Sequence, residues 1–550
     1  MFEFAALVSS LEKIFPETVC SGVPYDKITA LCGEEVSFQA VFRTSHQMPS
    51  PCEVSVSVES PISQYISLYN VVSIPSELPA YPDRHDGGYI KTTPGLYPDL
   101  LKPLENGRVC AVCNNTNSVW ISVRLPENTG AGEYPVSVRL YEKMTRTSKI
   151  LSFNISVIGS ELPKRHFPTA MWFHNDCIAS VHDVPVQSEK HWELIEKYMT
   201  VANDIGVNTI LTPIFTPPLD TEVGSERPTF QLVDVKKTSC GYEFGFEKLD
   251  RYVSLSKKCG MEYFEISHLF TQWGATHAPK IMADVDGEEK RIFGWETDVR
   301  EREYPEFLDA FLPELTKHLT KLGIADKCFF HVSDEPDKTM LEDYKYAKSL
   351  VDKHLKGFRI MDALSNFEFY ETGAVDLPVV AVDHIKPFLD GNVSDIFCYY
   401  CCCQTMNGVA NRFFAMPSAR SRILAYQMYK YDTKGFLQWG YNFYYAQFSK
   451  GLINPYEITD SRNAFPSGDA FMVYPSEDGT PYYSIRAKVF KQMTEDWKAM
   501  KKLEELSDKK TVMDIVERNG QLEGFSDSLR SAQYILETRE LINRKIAQLI

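Results

Sequence analysis

An acidic pair followed by proline, Ser333-Asp334-Glu335-Pro336, closes the apolar run Lys327-Cys328-Phe329-Phe330. Proline cannot continue a strand ladder, so the strand stops there with two carboxylates at its carboxyl end. Parallel barrels keep their chemistry at that end. Side chains alternate along a strand, so neighbours normally point apart; past the strand end the rule relaxes and both acids can face one pocket. Burial in an aromatic pocket, beside a second negative charge, raises a carboxyl pKa and suits it to general acid work. The same residues also read as a plain cap of the helix expected over about 338–353, with Asp334 or Asp337 at the N-cap.

The elements that position this pair are legible from about residue 166 onward. Short apolar runs at Ala170–Phe173, Asn208–Leu211, Tyr263–Ile266 and Cys328–His331 read as strands. So do Phe358–Met361, Pro378–Val382, Ile396–Tyr399 and Gly435–Trp439. Helical stretches lie between most of them: Glu193–Asp204 before Gly206, Lys248–Lys258 before Gly260, and Tyr304–Leu322 before Gly323. Glycine just past a helix end is the expected stop signal. Eight such units in about 280 residues predict a (β/α)8 barrel over 166–483.

The first residues after each strand then line one mouth. They are His174, Asn175 and Asp176; Thr212 and Pro213; His268, Gln272 and Trp273; and Asp334 and Glu335. Asp362, Ser365 and Asn366 follow, then Asp383 and His384, then Tyr399, Tyr400 and Gln404, and finally Trp439, Tyr441 and Asn442. Aromatic faces stack on the apolar face of a pyranose, and carboxylates and amides bind hydroxyls. The set predicts a carbohydrate site, although each His or Tyr taken singly is more often structural.

Residues 1–160 alternate apolar and polar, as at Val36, Phe38, Ala40 and Phe42, and at Val54, Val56 and Val58. Val119–Val123 and Tyr134–Leu140, joined by a Gly-rich turn over 127–132, read as a hairpin. These patterns predict a β-sandwich, with 161–165 as the linker. Residues 484–550 read as a helical segment packing on the barrel, first from Arg486 to Leu506 and then in an amphipathic helix carrying Leu529, Ala532, Ile535, Ile542 and Ile546. The fold class is therefore multi-domain: an all-β sandwich, a (β/α)8 barrel and a C-terminal helical segment.

Composition excludes several classes. The 550-residue chain has a formal net charge of −16, which argues against a nucleic-acid partner. No run approaches the length that spans a bilayer, and the first residues lack a basic, then long apolar, secretory pattern. A cytoplasmic protein is expected. The 13 cysteines are scattered. The cluster Cys398, Cys401, Cys402 and Cys403 sits in a strand-like run whose consecutive side chains diverge, with no partner pair at zinc-finger spacing, so no metal and no cofactor are expected.

A retaining glycosidase usually pairs an acid with a separate carboxylate nucleophile. The seventh strand end offers Tyr399, Tyr400 and Cys401 instead. Substrate-assisted enzymes dispense with that nucleophile, because the 2-acetamido oxygen of the sugar attacks C1. One carboxylate then orients the acetamido N–H and a second serves as acid and base.

The chain resembles the family 123 glycoside hydrolases, retaining β-N-acetylgalactosaminidases, over roughly residues 30 to 505. The matching residues are Tyr263-Phe264-Glu265-Ile266-Ser267-His268 with Thr271-Gln272-Trp273-Gly274, then Ser333–Pro336, then Gly435–Asn442. Pro94–Asp99 resembles a loop common in these proteins. The resemblance implies that Asp334 orients the acetamido group, Glu335 is the acid/base, Trp439 is a sugar platform, and Tyr399 or Tyr400 bonds the acetamido carbonyl. It implies a 2-acetamido sugar glycoside as partner. Two other readings compete: a metal-dependent barrel enzyme using His174, His268, Asp362, Asp383 and His384, and a carbohydrate-binding protein without turnover.

Overall fold

The computed structural model describes residues 1–19, 25–45, 51–272, 274–520, 522–526 and 531–550. Eight parallel strands close into a barrel: Thr169–Met171, Thr209–Thr212, Tyr263–Ile266, Cys328–Phe330, Arg359–Leu364, Leu377–Ala381, Phe397–Tyr399 and Gly435–Gln438. The first and eighth pair in register, Ala170 beside Leu437, which closes the ring. Every strand expected from the sequence is present. The interior is filled by side chains such as Leu211, Phe329, Met361, Val379 and Phe397, as a packed barrel requires. Outside it lie the helices Glu189–Asp204, Glu247–Lys258 and Glu303–Lys321, ended by Gly206, Gly260 and Gly323, all at positive φ.

An unanticipated four-stranded sheet stands on the second and third strand-to-helix connections. It comprises the hairpins Asp234–Thr238 with Gly241–Gly245 and Ile281–Val285 with Glu288–Phe293. The second hairpin turns through Asp286 and Gly287, both at positive φ, which is the Asp-Gly signature of a tight hairpin.

The N-terminal region forms two sheets whose inward side chains, among them Phe38, Phe42, Val54, Ile121, Val138 and Phe153, share one core. The expected hairpin is not formed. Thr116–Arg124 pairs with Glu35–Thr44 and Ile66–Ser76 in one sheet, whereas Gly132–Glu142 pairs with Pro51–Glu59 and Thr147–Glu161 in the other. The Gly-rich turn carries the chain from one sheet across to the other, and both strands put their inward side chains into the core between the sheets. Pro94–Asp99 is likewise mostly strand, within Gly95–Pro103.

Two short strands late in the chain, Val473–Tyr474 and Tyr482–Ser484, extend the first of these sheets at Gly95–Pro103. Ser484 then caps the helix Ile485–Leu506. Buried ion pairs tie this helix to the N-terminal region: Arg486 to Asp99 at 2.8 Å and Lys488 to Glu35 at 2.8 Å. The final helix, Ala532–Leu549, packs on Ile485–Leu506 and also on the strands Lys27–Cys32 and Thr147–Glu161. It spans the seam between the two regions instead of covering the barrel alone; Arg539 pairs with Glu34 at 2.6 Å and with Asp496 at 3.0 Å. Leu529 lies outside the described residues.

Candidate active site

At the carboxyl end of the barrel a cavity of about 160 Å³ is bordered by Asp334, Glu335, Tyr399 and Trp439, with Trp172, Asp220, Gln272, Cys401, Phe448 and Phe465 completing much of its wall. The fourth strand ends at Phe330, and the chain bends at Val332 and again at Asp334. Glu335 then adopts a left-handed backbone, φ 43°. That conformation costs a non-glycine residue about 1–3 kcal/mol and is held only where the surroundings impose it. Past the strand end the alternation of side chains no longer applies, and with this turn both adjacent acids border one cavity. Asp337, not Asp334, takes the capping role, accepting from the Thr339 amide at 2.6 Å.

Both acids are held protonated more readily than in water. Burial raises Asp334 well above the ordinary carboxyl range, and the adjacent Glu335 charge adds to it while His331 opposes. Burial also raises Glu335, helped by the nearby Cys403 and Asp383 and opposed by a hydrogen bond from Tyr399. The Tyr399 hydroxyl donates to Glu335 Oε1 at 2.9 Å. No donor among the described residues reaches the Asp334 carboxyl group, which leaves it available to a ligand.

Beneath the pair lies a buried charge array. His331 places Nε2 at 2.6 Å from Glu265 Oε1 and Nδ1 at 3.0 Å from Asp362 Oδ1. Burial alone would neutralise this imidazole, but the two carboxylates outweigh it and lift its pKa to about 10. Trp172 Nε1 also donates to Glu265, at 2.7 Å, and the Tyr344 hydroxyl donates to Asp362. His268 stacks on His331, with ring centroids 4.3 Å apart, and burial holds it well below its ordinary pKa. His268, His331 and Asp362 are mutually close enough to suggest a metal. The His331 nitrogens are already committed to carboxylates, however, which leaves that imidazole no free lone pair for an ion.

The expected site residues divide into three groups. Asp334, Glu335, Tyr399 and Trp439 border the cavity. Asp362, His268, His174, Asn175, Tyr441 and Asn442 do not; they are buried supports. His174 bonds the Trp439 carbonyl at 2.9 Å, and Asn442 accepts from the His174 amide at 2.9 Å and donates to its carbonyl at 3.1 Å, so the first and eighth strand ends are laced together. Asn175 donates to the Tyr252 hydroxyl at 3.4 Å, and the Tyr441 hydroxyl donates to the Tyr198 carbonyl at 3.0 Å. Asp383 stands behind the cavity, bonded to Gln404 at 3.0 Å and His384 at 2.9 Å. Tyr400 is fully buried on the far side of its strand, packed on Phe436 at 5.0 Å, as strand alternation requires once Tyr399 faces inward. Trp273 lies outside the described residues.

Two acids were not anticipated. Asp220 borders the cavity, accepts from the Phe448 amide at 3.1 Å, and is pushed up by burial to about 6. Asp469 accepts from Trp439 Nε1 at 2.9 Å and fixes the plane of that ring; burial raises it to about 7. Gly440 is obligatory beside them, since a Cβ there would collide with the Ala470 carbonyl. Asp220 and Asp469 lie in long connections, where no periodicity marks them.

A parallel barrel with paired acids, a buried counter-charge and indole walls at its carboxyl end has the build of a barrel glycosidase. The chain belongs to glycoside hydrolase family 123: the model of that family's catalytic domain matches residues 172–503. Among solved structures, a family 123 glycoside hydrolase from Clostridium perfringens, described for glycolipid glycan hydrolysis, has the same fold, with a TM-score of 0.76 at 16% identity over 99% of this chain and 97% of its own. A β-glucuronidase from Parabacteroides merdae (TM-score 0.34, 10% identity, 90% of this chain and 52% of its own) and an endo-β-1,4-mannanase from Thermotoga petrophila (0.34, 13%, 61% and 77%) are too distant to carry an argument. No curated protein matches the chain. No helix among the described residues is long and apolar enough to cross a membrane.

Proposed function

We propose that this hydrolase is an exo-acting, retaining enzyme that removes terminal β-linked N-acetylgalactosamine, or N-acetylglucosamine, by substrate assistance. The observation that supports this best is the turning of Asp334 and Glu335 into one cavity, with Tyr399 bonded to the second acid and Trp439 as a wall. An acetamido N–H supplies the partner that the Asp334 carboxyl group lacks, and its donation favours the ionised form of Asp334 while Glu335 keeps its proton. The acetamido oxygen then attacks C1 as the C1–O bond to the aglycone breaks, and Glu335 protonates the departing oxygen. Water opens the resulting oxazolinium at C1, giving its proton to Glu335 and restoring the β-configuration. The Trp439 indole, held by Asp469, stacks on the sugar ring. Of the two tyrosines we assign Tyr399, which borders the cavity, to the acetamido carbonyl: once Glu335 is protonated it can donate to the Tyr399 oxygen, which frees the Tyr399 O–H for the sugar. The cation of His331 lies near enough to steady the negative charge on Asp334.

Hydrolysis of aryl β-glycosides of GalNAc, GlcNAc, galactose and glucose tests the reading. Release confined to the 2-acetamido sugars, and blocked by a thiazoline mimic of the intermediate, supports it. Release from the plain hexosides would refute it and point to a protein nucleophile, for which Asp220 is the carboxylate at hand. Asp362 is excluded from that role by its engagement with His331.

A further inference from the structure

The cysteine cluster behaves differently from the strand that precedes it. The seventh strand ends at Tyr399, and the chain then turns through Cys401–Gln404, with the Gln404 amide bonded to the Cys401 carbonyl at 3.2 Å. Asn411 donates to the carbonyls of Cys401 and Gln404 at 2.8 and 2.9 Å and fixes this turn. Divergence of neighbouring side chains holds for a strand, not for a turn. The Sγ atoms of Cys401, Cys402 and Cys403 accordingly lie within 4.8 Å of one another, with Cys402 and Cys403 3.8 Å apart. Tetrahedral zinc with Zn–S bonds of about 2.3 Å sets its sulfurs ~3.8 Å apart. Beside the cluster is a hard fourth donor: Glu335 Oε1 is 3.9 Å from Cys401 Sγ. All twelve cysteines among the described residues are free thiols, so none of these three is tied up in a disulfide.

We infer that Cys401, Cys402 and Cys403, with Glu335 as fourth ligand, form a site for a thiophilic divalent ion of the zinc class on the wall of the cavity. Three soft sulfurs and one carboxylate select zinc or cadmium over magnesium or calcium, which take oxygen ligands. The ion is not part of the hydrolytic chemistry; it binds the acid that chemistry needs. On the hydrolase reading above, occupancy holds the enzyme inactive, and the cavity admits either the ion or the sugar.

The site is tested by binding, independently of any sugar. The reduced full chain is titrated with cobalt(II), whose thiolate complexes show sulfur-to-metal charge-transfer absorption and intense visible bands when tetrahedral. The expected result is saturation at one cobalt per chain, displaced by zinc and unaffected by magnesium. Cys403→Ser, at an exposed position, should weaken zinc by at least about 100-fold, since even an outer partner of a ligand is worth 10–100-fold. Glu335→Gln should weaken it less while retaining the charge-transfer band. Absence of that band, or an unchanged titration in Cys403→Ser with an unchanged melting temperature, would overturn the inference and place any bound metal at other thiols such as Cys110 or Cys240. Loss of sugar hydrolysis has no bearing on this outcome, so the two readings fail separately.

Discussion

His331 Nε2 lies 2.6 Å from Glu265 Oε1 at the centre of the barrel, both side chains without solvent exposure. Glu265 is part of the third strand and His331 follows the fourth, so the contact fixes the mutual register of two neighbouring strands just below the acid pair. It also places under Asp334 an imidazole that its two carboxylate partners keep protonated at neutral pH. Every substitution in this array therefore acts on stability and on the acids above it.

Replacing His331 by Gln leaves two buried carboxylates without their counter-charge. Removal of one partner from a buried ion pair costs about 3–5 kcal/mol. A markedly lower thermal midpoint at neutral pH is the expected outcome, with residual folded protein showing weak hydrolysis.

The pH dependence of stability has a definite sign. The folded pKa of His331 is about 10, above the ordinary value of 6.5 for an unfolded chain. Its contribution is complete below about pH 6.5 and is lost as pH rises through about 10. Thermal midpoints should fall over that window in the native chain, and His331→Gln should flatten the fall. An equal slope in both proteins would assign the decline to other groups.

Glu335→Gln removes the proton donor. General acid–base catalysis contributes about 10²–10⁴-fold, and a loss of that size in kcat/KM for a poorly leaving aglycone is expected. Asp334→Asn should lower kcat strongly with the fold intact. Near-native turnover by either variant would withdraw that residue from the chemistry.

Tyr399→Phe deletes the hydrogen bond that favours ionised Glu335. The Glu335 pKa should then rise further, and the alkaline limb of the kcat/KM profile, which reports loss of the acid's proton, should move to higher pH. An unmoved limb with a lower kcat/KM would mean that Tyr399 acts chiefly on the sugar.

Trp439→Ala removes the indole wall. Aromatic packing is worth about 0.5–1.5 kcal/mol beyond simple burial, so a rise in KM of about 3- to 10-fold is expected. Asp469→Ala should show a smaller effect of the same kind, because it removes the acceptor that holds the ring without deleting the ring.

Much of this architecture is written locally. Strands such as Tyr263–Ile266 and Gly435–Gln438 are short apolar runs bounded by breakers, and helix stops such as Gly206 and Gly260 occupy a backbone conformation that glycine adopts at no cost. Asp334 and Glu335 stood out as an acidic pair just past an apolar run, although the strand itself stops at Phe330, ahead of both the pair and Pro336. The Asp286-Gly287 turn was an equally readable signal for the inserted sheet.

Other features depend on partners distant in the chain. Which strands pair in the N-terminal region is decided by burial between sheets, so Thr116–Arg124 and Gly132–Glu142 separate despite their proximity in sequence. Strand-end counting nominated His174, Asp362 and Asn442 for the cavity; packing made them its supports, since each finds its hydrogen-bond partners inside the protein. Asp220 and Asp469 entered through long connections that carry no period. The convergence of three cysteines arose from a turn that Asn411 holds from a later segment. Residue types and spacing determined that a barrel would present two acids at one strand end. Only the tertiary structure decided which side chains share the cavity with them, because facing and burial are set by contacts between segments far apart in the chain.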